Sequence, residues 1–216
     1  MTRIKICGIK EETHALAAVD AGTDFIGLVF APSKRQVTPV QAEKLAATVK
    51  NSGIATEVVG VFVNMPADEV NEIADSCHLD WIQLSGDESW EYCNKITKPV
   101  IRAVRIGKKQ DTDEIYAYIT GSDRLLSGKH IYILDTHDRD KYGGTGVSFD
   151  WNLARPLAQQ YPVIIAGGLN PENVAQAIKI TTPWGVDTSS GVETNGVKDT
   201  NKIKAFIEAV RRADDR

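Results

Sequence analysis

The strongest constraint on the fold is an alternation of short β-branched runs with longer amphipathic runs, repeated eight times along the chain. This alternation is typical of βα units that build a parallel sheet. The predicted strands cover residues 3–7, 25–30, 58–63, 81–84, 100–104, 131–135, 163–166 and 185–188. The predicted helices cover residues 13–21, 40–50, 67–77, 89–95, 112–118, 149–157, 172–179 and 200–211. The fifth helix is the least regular, because the run GSDRLLSGKH follows it.

Eight βα units in 216 residues match the size of a (β/α)8 TIM barrel, and we expect one barrel domain spanning residues 1–216. The alternative is an open, doubly wound parallel sheet. That fold commonly carries a glycine-rich dinucleotide-binding turn after its first strand, whereas this chain continues GIKEETH. The missing fingerprint favours the barrel within the α/β class.

Residues that start helices support this division of the chain. Pro39, Pro66 and Pro171 each lie at or just before a predicted first helical turn, where a missing N–H group removes no hydrogen bond. Asp199 precedes the last predicted helix and is a good N-cap residue. The helix starts are therefore expected near these four residues.

Charge and hydropathy exclude several partners. The net charge of −4 leaves no basic field for nucleic acid or for an anionic membrane surface, so neither is expected as a partner. No apolar run approaches the roughly 20 residues of a membrane span, and the first residues, MTRIKICGIK, lack the apolar core of a signal peptide. We therefore expect a cytoplasmic protein.

The cysteines give no sign of a disulfide framework or a metal centre. Cys7, Cys77 and Cys93 are odd in number, without CxxC spacing and without a histidine at metal-ligand spacing. Free thiols and the absence of a metal site are therefore predicted.

Two chemically capable side chains lie at predicted strand ends, where TIM barrels carry their active sites. Cys7 ends the first strand and Asp135 ends the sixth, IYILD. Cys7 has a second interpretation as a small buried apolar residue, and Asp135 could instead cap the following loop. Lys5 shares the strand face of Cys7, so its charge would lower the thiol pKa, unless Lys5 instead reaches solvent at the barrel floor. A thiol and a carboxylate are therefore predicted to converge over one barrel mouth.

The loop after the sixth strand offers a rival group. His137 in HDRDKYGGTG could serve as acid or base in place of Asp135, although a loop histidine is commonly exposed to solvent. Gly143, Gly144 and Gly146 suit either a lid over a ligand or an ordinary surface turn.

Two successive turns predict a phosphate site. AGGLNPENV carries Gly167 and Gly168 after the seventh strand, and DTSSGVE carries Ser189, Ser190 and Gly191 after the eighth. Backbone N–H groups in such turns can bind a phosphate, and TIM barrels commonly bind phosphate at these two units. The expected ligand is a small phosphorylated molecule.

The chain resembles the phosphoribosylanthranilate isomerase family in the order and spacing of KICGIK, GLVFAPSKRQVTP, VGVFVN, IQLSGDE, LLSGKHIYILD, GGTG, AGGLNPENV and GVDTSSGVE. The resemblance extends from Arg3 to about Glu193. It implies an isomerase of tryptophan biosynthesis. The reaction would be the Amadori rearrangement of N-(5'-phosphoribosyl)anthranilate to 1-(2-carboxyphenylamino)-1-deoxy-D-ribulose 5-phosphate, without metal or organic cofactor.

The resemblance also implies a role for each matched residue. Cys7 would be the general base and Asp135 the general acid. Arg35 in APSKR would bind the anthranilate carboxylate, for which a planar guanidinium is well suited. Asp187 would be a polar anchor in the substrate pocket, and the two glycine- and serine-rich turns would bind the phosphate. We expect a monomer or a homodimer.

The chain departs from the family at one motif. The family often has QLHGDE where this chain has QLSGDE, with Ser85 in the place of the histidine. Any positioning role of that histidine must pass to Ser85, to another group or to water.

Two other functions remain open. A phosphate-binding lyase barrel of the Schiff-base aldolase type needs a lysine at a strand end, and the predicted strand ends present none. A noncatalytic barrel that binds a phosphorylated ligand would need neither Cys7 nor Asp135.

Overall fold

A closed barrel of eight parallel strands forms the centre of the molecule. The computed structural model describes residues 1–107, 112–123, 130–136 and 149–215. Each strand pairs with the next along the chain, and the eighth pairs back with the first. The strands are Arg3–Cys7 (β1), Phe25–Val29 (β2), Glu57–Phe62 (β3), Trp81–Leu84 (β4), Val100–Ile106 (β5), His130–Thr136 (β6), Val163–Ile165 (β7) and Gly185–Thr188 (β8). The predicted (β/α)8 barrel is confirmed, and the open doubly wound sheet is wrong.

Helices connect the strands on the outside of the barrel. In the described ranges they are Glu12–Asp20 (α1), Pro39–Asn51 (α2), Ala67–Ser76 (α3), Trp90–Cys93 (α4), Thr112–Asp123 (α5), Arg155–Ala158 (α6), Val174–Thr181 (α7) and Thr200–Asp214 (α8). Two 3₁₀ helices, Trp151–Leu153 and Ser190–Val192, complete the set there. None of these helices is both long and apolar enough to cross a membrane.

The prediction of one continuous helix over residues 149–157 is wrong. It divides into the 3₁₀ helix Trp151–Leu153 and α6. Pro156 is the second residue of α6, and a proline is tolerated in a first turn but not inside a helix, because it lacks the N–H group. A continuous helix from residue 149 would place that proline in its interior.

Most predicted helix starts are confirmed. Pro39 is the first residue of α2, and Pro66 is the N-cap of α3. The Asp199 side chain accepts hydrogen bonds from the first turn of α8. The prediction of a helix start at Pro171 is wrong, since α7 begins only at Val174 and residues 171–173 form a turn.

Apolar side chains form two layers, one inside the barrel and one between the strands and the helices. The inner layer consists of Phe25, Val59, Trp81, Ile101, Ile131, Ile133, Ile164 and Ala166. On β1, Ile4 and Ile6 belong to the outer layer, whereas Lys5 pairs with Asp187 of β8 and Cys7 lines an inner cavity. The alternation predicted for β1 therefore places Lys5 and Cys7 on the same face.

A short hairpin after β8 was missed in the sequence. Its strands, Glu193–Thr194 (β9) and Val197–Lys198 (β10), pair antiparallel with Lys198 opposite Glu193. Asn195 and Gly196 join them with φ values of 53° and 81°. An Asn-Gly pair is the common signal for such a two-residue turn, and it could have predicted this hairpin.

Candidate active site

A cavity of about 430 Å³ lies at the C-terminal ends of the strands. This volume is within the range of small-molecule sites. Its walls include Cys7, Arg35, Asp135, Asp187 and Ser189. The barrel therefore brings together side chains from the first, sixth and eighth strands, together with Arg35 from the β2–α2 connection.

Cys7 ends β1 and is buried. Its strand partner in β2 is Gly27, and a Cβ atom on Gly27 would lie 2.8 Å from the Cys7 Sγ atom. Gly27 therefore leaves room for the thiol. Sequence reasoning missed this role, although a glycine inside a strand often marks a close approach.

The environment of Cys7 raises its pKa above the usual value. Burial is the largest cause, and the positive charge of Lys5 opposes it. The predicted effect of Lys5 is correct in direction. The predicted net lowering is wrong, because the removal of the thiolate from water outweighs the attraction of the cation.

Lys5 is buried beneath this site. Its Nζ atom donates to Asp187 Oδ1 at 2.8 Å, and its side chain is 1% exposed. The alternative that Lys5 reaches solvent is therefore wrong. Burial lowers the pKa of Lys5, but the negative charges of Asp187 and Cys7 outweigh it and raise the pKa above its usual value. The positive charge of Lys5 therefore lies below Cys7. Asp187, which forms the ion pair with Lys5, also lines the cavity.

Asp135 is the penultimate residue of β6 and is half-buried. Its Oδ1 atom accepts a hydrogen bond of 2.8 Å from the backbone N–H of Thr136. Burial and the charge of Asp187 raise the pKa of Asp135 to about 6, although the Thr136 N–H and Lys5 oppose the rise. The carboxyl group is therefore protonated more often at neutral pH than an ordinary aspartate.

The rival residue His137 and the proposed lid glycines Gly143, Gly144 and Gly146 lie outside the described residues. The two interpretations of that loop stay predictions.

Arg35 is bound to a residue that sequence reasoning did not single out. Its Nε and Nη2 atoms donate to Glu193 Oε1 and Oε2 at 2.7 and 2.9 Å. Lys198 donates to the same carboxylate at 2.7 Å and to the Ser189 carbonyl oxygen at 2.8 Å. The Asn-Gly turn could have predicted the hairpin that carries Glu193, but nothing in the sequence pairs Glu193 with Arg35.

The two turns predicted to bind phosphate pack against each other beside the cavity. Gly167 and Gly168 follow β7 with φ values of 82° and 69°. Ser190 and Gly191 begin the 3₁₀ helix after β8, where the first N–H groups have no partner within the helix. A Cβ atom on Gly191 would collide with the carbonyl oxygen of Leu169. Of the five predicted phosphate residues, Ser189 alone lines the cavity.

Two polar side chains line the cavity at β4: Gln83 within the strand and Ser85 directly after it. Gln83 Nε2 donates to Ser85 Oγ at 3.0 Å. Gln83 Oε1 is buried and has no hydrogen-bond partner among the described residues. Sequence reasoning noted Ser85 but missed Gln83, which it placed within a strand of apolar residues.

No group of three or more histidine, cysteine, aspartate or glutamate residues within the described ranges is placed to hold a metal ion. The expectation that no metal or organic cofactor takes part stays a prediction.

Comparison with known proteins gives consistent matches over almost the whole chain. The family model described as N-(5'-phosphoribosyl)anthranilate (PRA) isomerase matches residues 4–209. The N-(5'-phosphoribosyl)anthranilate isomerase of Dehalococcoides mccartyi is 46% identical over 214 residues, covering 99% of this chain and 98% of the relative.

Solved structures agree with this result. The phosphoribosyl anthranilate isomerase of Thermotoga maritima is similar with a TM-score of 0.85 and 34% identity, covering 98% of this chain and all of that chain (100%). A phosphoribosyl anthranilate isomerase in complex with reduced 1-(o-carboxyphenylamino)-1-deoxyribulose 5-phosphate is similar with a TM-score of 0.82 and 34% identity, covering 98% and 100%.

Proposed function

We propose that Cys7 is the general base and Asp135 the general acid of this chain, which belongs to the N-(5'-phosphoribosyl)anthranilate isomerase family. The members of this family are isomerases of tryptophan biosynthesis. The observation that carries the proposal is that both groups line one cavity from different walls. β7 and β8 lie between β6 and β1 in the ring, so the two side chains reach the cavity from separate, non-adjacent strands.

The reaction needs two proton transfers. Protonated Asp135 donates to the ring oxygen of the ribose, the C1'–O bond breaks, and the amine nitrogen supplies electrons to form an iminium ion. The Cys7 thiolate then removes the C2' proton, and the electrons of that C–H bond neutralise the iminium as an enolamine. The enolamine tautomerises to the ketone of the product. Each positioned transfer contributes about 10²- to 10⁴-fold in rate.

The charges around the cavity support these roles. The form that reacts has a proton on Asp135 and none on Cys7. The raised pKa of Asp135, about 6, favours its proton. Burial and the charge of Asp187 raise the pKa of Cys7, and the Lys5 and Lys198 cations oppose that rise. The substrate carboxylate is assigned to Arg35, and its phosphate to Gly167, Gly168, Ser189, Ser190 and Gly191.

The lyase alternative has less support. A Schiff-base mechanism needs a neutral lysine amine as nucleophile. Lys5 reaches the inside of the barrel near Cys7, but its ion pair with Asp187 raises its pKa and keeps it protonated. Lys5 is therefore a fixed charge rather than a nucleophile.

The direct test is loss of phosphoribosylanthranilate fluorescence with the purified protein. Conversion that continues after treatment with EDTA supports the metal-free mechanism. Activity that disappears with the chelator and returns with a divalent metal contradicts it.

Arg35→Ala is expected to raise KM by about 10- to 30-fold, because a charge-assisted contact to the substrate carboxylate is lost. The fall in kcat should be smaller, since Arg35 takes no part in proton transfer. Steady-state kinetics checks the division, with the exposed neighbour Lys34→Ala as the matched control. An unchanged KM in Arg35→Ala would contradict the carboxylate assignment.

Gly191→Ala is expected to raise KM by about 10-fold or more, because the new methyl group collides with the Leu169 carbonyl and must displace the phosphate turn. Inorganic phosphate should also become a weaker competitive inhibitor. Gly121→Ala is the control, since a Cβ atom there meets no atom within 4 Å. Wild-type phosphate inhibition in Gly191→Ala would place the phosphate elsewhere.

A further inference from the structure

Glu193 lies between two cations at the edge of the cavity. Its carboxylate accepts both a bidentate pair of hydrogen bonds from Arg35 and one from Lys198. The side chains of Glu193 and Lys198 are 8% and 4% exposed, whereas that of Arg35 is 24% exposed. The buried pair of Glu193 and Lys198 therefore supports the more accessible side chain of Arg35.

The contact leaves part of the guanidinium available. Arginine has five N–H groups, and Glu193 accepts from Nε and from one N–H of Nη2. In the described part of the chain, Nη1 of Arg35 has no hydrogen-bond partner, and Arg35 lines the cavity. The two N–H groups of Nη1 and the second of Nη2 can therefore bind another carboxylate.

We propose that Glu193 is a positioning residue that holds the Arg35 guanidinium in the orientation needed to bind the substrate carboxylate. The inference rests on the proposed contact between Arg35 and that carboxylate. A long arginine side chain loses rotamer freedom when it binds a ligand, and Glu193 removes most of that freedom beforehand.

Glu193 could either support Arg35 in a fixed position or compete with the substrate carboxylate for Arg35. Its surroundings favour the fixed position. Lys198 faces Glu193 across the β9–β10 hairpin, so the backbone register holds the two residues together. Burial raises the pKa of Glu193, but the hydrogen bonds that Glu193 accepts from Arg35 and Lys198 outweigh burial and lower that pKa. Glu193 therefore stays ionised. Two cations and one anion leave a net charge of about +1 for the anionic substrate.

The same cluster connects the two ends of the substrate site. Lys198 donates to the carbonyl oxygen of Ser189 at 2.8 Å and to its Oγ atom at 3.3 Å. Ser189 begins the turn proposed to bind phosphate, and Arg35 is proposed to bind the carboxylate. Glu193 and Lys198 therefore fix the spacing between these two anion sites.

The test is a comparison of two ligands by calorimetry. One ligand is reduced 1-(o-carboxyphenylamino)-1-deoxyribulose 5-phosphate, and the other is the same molecule without the ring carboxylate. The readout is the carboxylate preference, defined as the Kd of the second ligand divided by the Kd of the first. A general loss of folding or of phosphate binding affects both ligands and leaves this ratio unchanged.

Glu193→Gln is expected to lower the carboxylate preference by about 2- to 10-fold, the cost of ordering one long side chain on binding. Because this variant leaves the buried Lys198 without a counter-charge, the double variant Glu193→Gln/Lys198→Met is measured beside it and should show the same loss. Arg35→Ala should lower the preference by about 10- to 30-fold. Glu208→Gln, an exposed partner of Arg212 on α8, should change nothing.

The outcomes separate the two proposals. An unchanged preference in both Glu193 variants, with a loss in Arg35→Ala, overturns the positioning role alone. A higher preference in Glu193→Gln overturns it too, because Glu193 would then compete with the substrate. An unchanged preference in Arg35→Ala overturns the proposed carboxylate contact itself.

Discussion

Cys7→Ser is expected to lower kcat by about 10²-fold or more, with a far smaller change in KM. The serine hydroxyl fits the space left by Gly27, so the shape of the cavity is retained. However, a hydroxyl is much harder to deprotonate than a thiol, even with Lys5 buried beneath it. Steady-state kinetics with the fluorescence assay measures both constants.

Two controls make this result specific. Cys93→Ser changes another buried cysteine that does not line the cavity, and it should keep kcat near the wild-type value. His137→Ala tests the rival base in the segment that follows β6 in the sequence. Near-wild-type kcat in Cys7→Ser, together with loss of activity in His137→Ala, would transfer the role of base to His137.

The strands could be predicted because their signal is local. Each β-branched run is short and is bounded by residues that end a strand or start a helix. The strand ends are harder to predict, since they depend on pairing. β5 continues to Ile106 because Arg105 and Ile106 pair with Asp135 and Thr136 of β6, and no local pattern reveals this register.

The positions of Cys7 and Asp135 could also be predicted, because a barrel places the ends of all its strands at one mouth. Their partners could not. Lys5 binds Asp187 across 182 residues, and Arg35 binds Glu193 across 158 residues. Such contacts depend on how the closed barrel brings distant segments together.

The pKa of Cys7 also depends on packing that the sequence does not show. The sequence shows that a lysine shares the strand face of the thiol, and this charge does lower the pKa. The sequence does not show how deeply the thiol is buried. Because loss of hydration is the larger effect here, an argument from charge alone gives the wrong net direction.

Asp135→Asn is expected to lower kcat by about 10²-fold or more, again with a much smaller change in KM. Asparagine keeps the shape of the side chain and can still accept the Thr136 N–H hydrogen bond, but it has no carboxylic proton to donate. The exposed Asp68→Asn on α3 is the matched control and should leave both constants unchanged.

The pH dependence of kcat/KM distinguishes loss of an acid from a general loss of shape. In the wild type, kcat/KM falls as the pH drops below about 6, because Asp135 is then protonated and further acid depletes only the Cys7 thiolate. Above about pH 6, the gain in thiolate is offset by loss of the Asp135 proton, so the profile levels off. Without a carboxyl group at position 135, kcat/KM should keep rising with pH until Cys7 itself titrates. A break near pH 6 that persists in Asp135→Asn would show that another group is the acid.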